Sequence, residues 1–469
     1  MEARYKPYSE YKDSTIEWLR EIPAHWDVSK LRYMFSFGKG LGITKENLLD
    51  DGVFCVNYGE VHSKYGFELD PSIHQLKCVS EDYLISSQSA LLLKGDLVFA
   101  DTSEDIDGSG NFTQLTTDHV VFSGYHTIIA RPADRQCSRF YAYLFDSREF
   151  RAQIRYAVKG VKVFSITQAI LRGVNIWLPT LDERQKITNF LDHETAKIDT
   201  LIEKQQQLIQ LLKEKRQAVI SHAVTKGLNP KVKMRDSGVE WLGEVPTDWK
   251  ISKLKYHTRL FEQGWSPQCD SRQAEGDEFG VLKVGCVNYG TFDSNENKAL
   301  PKELTPRLQY LIQQGDLLIS RANTKDLVGS AAVVDKNYDK IILCDKLYRL
   351  RFNESIEPQW AAYYLALPIV RQQIELGASG ASHSMQNIGQ STIKELPIVI
   401  PSPKEVGAIL LEVKNKTAIF ELTLNLANDQ IALLHERRTA LISAAVTGKI
   451  DVRNWVAPKE SQANKTVAA

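Results

Sequence analysis

Arg321, Asn323 and Lys325 follow the apolar run GDLLIS at alternate positions. Their side chains suit the edge of a guanine, the edge of an adenine and a phosphate oxygen respectively. A strand that delivers such residues into a loop makes a reading head for a duplex, because phosphate contacts position a protein while base-edge contacts give it sequence preference. Other loop residues of the same kind are Lys39 and Lys45 in GKGLGITK, Lys159 and Lys162 in KGVKVFS, Arg272 in QGWSPQCDSR, and His383 and Gln386 in GASGASHSMQ. Any one of them, taken singly, reads more readily as an ordinary solvated charge or loop amide. A second run of the same form, LKGDLVFADTS, lies 220 positions earlier and carries Asp101 and Ser103 in place of Arg321 and Asn323. Ser103 stays a candidate contact there, and the substitutions argue against one shared phosphate clamp at this position.

Catalytic chemistry finds no such foothold. The chain has no GxxxxGKS/T phosphate loop, no NPPY or DPPY segment and no GxSxG elbow. Its six cysteines, Cys55, Cys78, Cys137, Cys269, Cys286 and Cys344, are scattered singly, which reads as reduced packing residues and no metal site.

The elements that must hold these residues come in two copies. KDSTIEWLREIPAHWDVSKLRY, from Lys12, returns as RDSGVEWLGEVPTDWKISKLKY, from Arg235, so that Pro23 and Pro246 stand 223 apart. FSITQAILRGVNIWLP (Phe164 to Pro179) and KRQAVISHAVT return 222 positions later as QNIGQSTIKELPIVIP and RRTALISAAVT, and CVNYG at Cys55 recurs at Cys286. The unit is about 220 residues long, and two copies are too few for a solenoid. A closed pseudo-twofold arrangement is the expected alternative. Between matched blocks the spacing drifts by about ten residues while the apolar runs keep their order. Such drift belongs to surface loops, where binding specificity resides. The repeated Trp18/Trp26 and Trp241/Trp249 read as packing where each domain begins.

After Pro179 and Pro401 the apolar period becomes helical. Leu191, Ile198, Ile202, Gln205, Ile209, Leu212, Arg216 and Val219 form an a/d seam, matched by Val413, Phe420, Leu424, Ala427, Ile431, Leu434, Arg438 and Leu441. At 1.5 Å per residue the first helix is roughly 65 Å long, and the natural partner of each helix is the other, running antiparallel. The expected order is a lead-in segment (1–23), a recognition domain (24–180), a central long helix (181–226) and a linker with a second lead-in (227–246). A second recognition domain (247–401), a C-terminal long helix (402–449) and a tail (450–469) complete it. The fold class expected is α/β, with two β-rich domains joined by two long antiparallel helices.

The bulk numbers fit. Hydrophobic residues make up 43% and charged residues 25%, and 58 basic side chains balance 58 acidic ones, so binding to DNA must use local basic surface. The first residues, MEARYKPYSEYKDS, lack the apolar core of a secretory signal and no run of about 18 apolar residues occurs, so a cytoplasmic location and no membrane partner are expected.

The lead-in segments, GDLLISRAN, the paired FSITQAILRGVNIWLP and QNIGQSTIKELPIVIP segments and ERRTALISAAVTGKID together resemble the specificity subunits of type I restriction–modification systems, over nearly the whole chain. That resemblance implies two target recognition domains, each reading one half of a bipartite site in double-stranded DNA. It further implies helices that set the spacing and dock two DNA-adenine methyltransferase subunits, with restriction subunits joining that core. It implies no enzyme in this chain and no cofactor of its own, with AdoMet, ATP and magnesium bound by the partners. The competing expectation is a coiled-coil assembly scaffold that reads no DNA. Loops that diverge on a kept framework favour the reader, and the neutral net charge favours the scaffold.

Overall fold

The computed structural model describes residues 5–158, 163–382 and 385–458. They form two compact units, one comprising residues 1–205 and 428–469, the other residues 206–427. No helix among the described residues is long and apolar enough to cross a membrane.

The first unit is built on a five-stranded sheet in the order Phe35–Lys39, Thr127–Pro132, Leu97–Ala100, Phe112–Leu115, Phe67–Leu69. All neighbours are antiparallel except the last pair. Leu97–Ala100 is wholly buried, as an apolar run sandwiched on both faces must be. A four-stranded sheet, Lys77–Val79, Val53–Val56, Val121–Ser123, Leu91–Leu92, packs beside it. The helices Ser138–Asp146 and Arg148–Ala157 cover the larger sheet; every residue from Phe140 to Phe145 is fully buried.

The second unit repeats the plan. Thr258–Gln263, Leu347–Phe352, Leu317–Ser320 and Ala331–Val333 form an antiparallel sheet, with the helices Pro358–Leu365 and Pro368–Leu376 over it. Asn297–Ala299, Gly280–Leu282 and Ile341–Ile342 make the smaller companion sheet.

The long helices run Leu181–Lys226 and Pro403–Val446. Each unit takes an end of both. Ile187, Phe190 and Leu191 join Ile442, Ala445 and Val446 in the core of the first unit, around Trp26 and Trp177. Val406, Ile409 and Val413 join Ile220, Ala223 and Val224 in the core of the second, around Trp249 and Trp360. Within the first unit Arg438 Nε donates to Asp199 at 3.1 Å and Gln205 to Gln430 at 3.0 Å, so the numbers fall on one helix as they rise on the other and the pair is antiparallel. In the second unit the counterpart of the arginine bond is Arg216 to Glu421, at 3.2 Å. The two seam arginines that the sequence placed on an a/d stripe thus each reach an acid on the facing helix. The sequence-expected tryptophans divide: Trp26 and Trp249 are buried, whereas Trp18 is partly exposed against Tyr156. All six cysteines are free, and five are buried.

Candidate nucleic-acid interface

In the second unit the buried strand Leu317–Ser320 breaks at Arg321 and resumes as the two-residue strand Ala322–Asn323. That short strand pairs antiparallel with Met385–Ile388, setting Asn323 opposite Gln386, and Met385–Ile388 pairs in turn with Ala378–Ser382. The geometry therefore brings together Arg321, Asn323 and Gln386, three residues from two distant stretches, with exposed Lys325 in the loop that follows. Arg321 is pinned by its backbone: its N–H donates to the Lys346 carbonyl at 2.9 Å and its own carbonyl accepts from Ile388 N–H at 3.0 Å. Its guanidinium makes one long bond, 3.3 Å, to the Asp345 carbonyl. Asn323 Oδ1 accepts from Thr324 N–H at 2.9 Å, and its amide nitrogen lies 3.3 Å from Ser320 Oγ and 3.4 Å from Asn288 Oδ1. Asn288 comes from the repeated CVNYG motif, so that motif and the GDLLIS segment meet at one place.

The first unit has the same ladder with different side chains. Thr102–Ser103 pairs antiparallel with Phe164–Ser165. Ser103, expected from the sequence as a DNA contact, is 1% exposed, and this corrects that expectation. Its hydroxyl donates to the Asp105 carbonyl at 2.6 Å and lies 3.0 Å from His62 Nε2, so the group presented beside it is the half-buried His62 imidazole. Asp101 meets His126 Nδ1 at 3.2 Å, and Glu104, Asp105 and Asp107 stand exposed in the next loop. Tyr58, again from CVNYG, lies against His62 with ring centroids 5.2 Å apart. Its hydroxyl pKa is raised, first by burial and then by the charges of Glu104, Asp105 and Asp101. His62, Tyr58 and Asn288 were not picked out from the sequence, although the recurrence of CVNYG in both copies was the signal that could have found Tyr58 and Asn288.

The remaining expected contacts are dispersed. Lys39 ends the edge strand Phe35–Lys39 opposite Ile128, and Lys45 opens a single helical turn capped by Thr44; both are exposed. Arg272 is closed on itself: both ends of its guanidinium hold Glu278, at 2.5 and 2.7 Å, which pushes the Glu278 carboxyl down to about 2. In the chain alone that fork is held within its own loop, and the side chain stays half exposed. Lys159, Lys162 and His383 lie outside the described residues.

At the start of the strand that leads into each ladder the GDL aspartate is an anchor. Asp316, 1% exposed, accepts from Gln313 N–H at 2.9 Å and from Arg351 at 2.5 and 3.1 Å, with Arg349 at 3.4 Å. Asp96 does the same in the first unit, accepting from Leu93 N–H at 3.0 Å and pairing with Arg131 at 3.3 Å and Arg135 at 2.8 Å. The preceding Gly95 and Gly315 have φ of 90° and 85°, a left-handed turn that favours glycine. No cluster of three or more metal-ligating side chains occurs among the described residues.

Residues 23–211 match the family model described as the type I restriction modification DNA specificity domain. Over that stretch the chain is similar to the specificity subunits of type I restriction–modification systems, and the likeness read from the sequence holds. The EcoEI specificity subunit of Escherichia coli is 30% identical over 160 residues, 34% of this chain and 27% of that protein. The EcoKI specificity subunit of Escherichia coli K12 is 24% identical over 326 residues, 69% of this chain and 68% of that protein. A solved chain described under "complex assembly and conformational transition of the type I R-M system" superposes with a TM-score of 0.64 at 15% identity, covering 92% of this chain and 99% of that one. It shows a shared fold.

Proposed function

We propose that this chain is the sequence-reading subunit of a type I restriction–modification complex, in which each unit reads one half of a bipartite site in double-stranded DNA. The observation that carries this is the duplicated ladder: one framework, one buried aspartate anchor, and different polar side chains presented from it. Arg321, Asn323, Lys325 and Gln386 supply donors and amides suited to guanine, phosphate and adenine. The first unit offers His62 and carboxylates, which suit the exocyclic amino group of cytosine better than any phosphate. Lys39, Lys45, Lys159, Lys162 and His383 stay as further contacts in this reading.

The helices in this reading set the half-site spacing and dock two methyltransferase subunits. Exposed apolar side chains support a partner there: Leu201 and Leu433 in the first unit, Leu208, Leu211, Leu422 and Leu426 in the second. The restriction subunits join that assembly, and AdoMet, ATP and magnesium belong to the partners. This chain then does no chemistry of its own and works in the cytoplasm.

The test is a gel-shift titration of the chain with and without methyltransferase subunits, followed by methylation mapping after exchange of residues 24–180. Weak binding alone, tight sequence-specific binding in the complex, and a change confined to one half-site are expected. Equal affinity for every sequence, or both halves altered, would overturn the reading.

A further inference from the structure

Internal duplication lets one polar arrangement be compared with its own counterpart. In the first unit Asp146 closes the helix Ser138–Asp146 and is shared by two arginines. Arg151 Nη2 lies 3.2 Å from one carboxylate oxygen and Arg438 Nη1 lies 3.3 Å from the other. Arg151 Nη1 also donates to Asn111 Oδ1 at 2.9 Å, and Arg438 Nε to Asp199. In the second unit the corresponding places hold Arg371, Arg216, Glu421, Ser330 and Ala366. Both arginines are kept, and the carboxylate between them is gone.

The arginines are left short. Arg216 retains Glu421, but its Nε is buried with no hydrogen-bond partner. Arg371 retains one bond, from Nη2 to the Asp326 carbonyl at 3.1 Å; its Nη1 is buried without a partner, and no carboxylate among the described residues lies within 4 Å of it. Burial lowers the Arg371 pKa, and the charges of Glu375 and Asp326 offset this only in part. A guanidinium stays protonated even when buried, so an uncompensated one is costly unless a counter-charge arrives. At this place the second unit opens into a cavity of about 590 Å³, lined among others by Gln217, Thr324, Asp326, Ser330, Ala366 and Arg371, so that one acid stands in the wall beside the arginine. Gln217, next to Arg216 on its helix, reaches the Ala366 carbonyl at 3.5 Å.

We propose that this cavity is an oxyanion site, in which a carboxylate or phosphate group enters beside Ala366 and takes against Arg371 the place that Asp146 holds against Arg151 in the first unit. The planar fork of Arg371 suits both groups. The occupant is a free anion or a phosphate of bound DNA, the Thr324–Asp326 loop being one wall of the cavity and part of the proposed reading face.

Thermal unfolding of the full chain tests the site, with acetate or inorganic phosphate replacing chloride at constant ionic strength. The unaltered chain is expected to gain about 2–4 °C at saturation. Ala366→Asp supplies the missing carboxylate internally, so it is expected to melt higher in chloride and to lose the response to acetate and phosphate. Arg371→Gln is expected to lose the response as well. The DNA arm rests on the reading function proposed above and uses the complex with methyltransferase subunits. A salt slope lowered by about 0.9 in Ala366→Asp assigns the group to a DNA phosphate; an unchanged slope with an intact thermal response assigns it to a free anion. A thermal response shared equally by the unaltered chain and Ala366→Asp, or no response with an unchanged slope, overturns the site.

Discussion

Asp316 illustrates how little a side chain's role can be read from its neighbours in sequence. The GDL motif is plain in both copies, and the attention it draws falls on the polar residues after it. Its aspartate is instead the buried acceptor on which Arg349 and Arg351 converge. Removing one member of such a buried charged network strands the others, so Asp316→Ala is expected to cost about 3–5 kcal/mol in urea unfolding. A loss below about 1 kcal/mol would show that Glu262, the other acid on Arg349, suffices alone. Glu278 gives the opposite case, a surface pair with a readable titration. Its carboxyl is held at about 2 by Arg272, below its ordinary 4.5, so the stabilisation is present above pH 4.5 and lost as the pH falls through about 2. A carboxyl-carbon NMR titration should find that low midpoint, and Arg272→Gln should return it to the ordinary range. A midpoint near 4.5 in the unaltered chain would count against the pairing.

At the level of elements, the long helices and their seam were legible because a period of 3.5–3.6 sustained over forty residues has no other reading. The short ladders were not. Two-residue strands such as Thr102–Ser103 and Ala322–Asn323 carry no period, and their partners lie about 60 residues further on. Consequently the sequence nominated Asn323 and Gln386 separately without showing that they face each other. It nominated Ser103 without showing that its hydroxyl would be taken by Asp105 and His62. The ladder makes a prediction that separates reading from holding. Asn323→Ala is expected to relax preference at one position of one half-site, worth about 1–3 kcal/mol of discrimination. Lys325→Ala is expected to weaken all sequences alike and to lower the salt slope by about 0.9. Competition gel shifts on single-base variants of the site measure both. Uniform weakening by Asn323→Ala would remove it from the set of base readers.

For the molecule as a whole, duplication is what made the sequence informative, since matched blocks mark the framework and drifting blocks mark the tips. It did not reveal that each compact unit takes the end of the other copy's helix, because an a/d pattern says which face is covered without saying by what. That division gives the proposed spacing role a sharp test. One heptad inserted at the middle of each long helix keeps the a/d face in phase and leaves both helix ends in their cores. It adds about 10 Å of helix at 1.5 Å per residue, close to the rise of about three base pairs. Methylation mapping of the complex is therefore expected to return the same two half-sites with a spacer longer by about three base pairs. A lengthened chain that still methylates at the original spacing would mean that the helices hold the units without measuring the DNA between them.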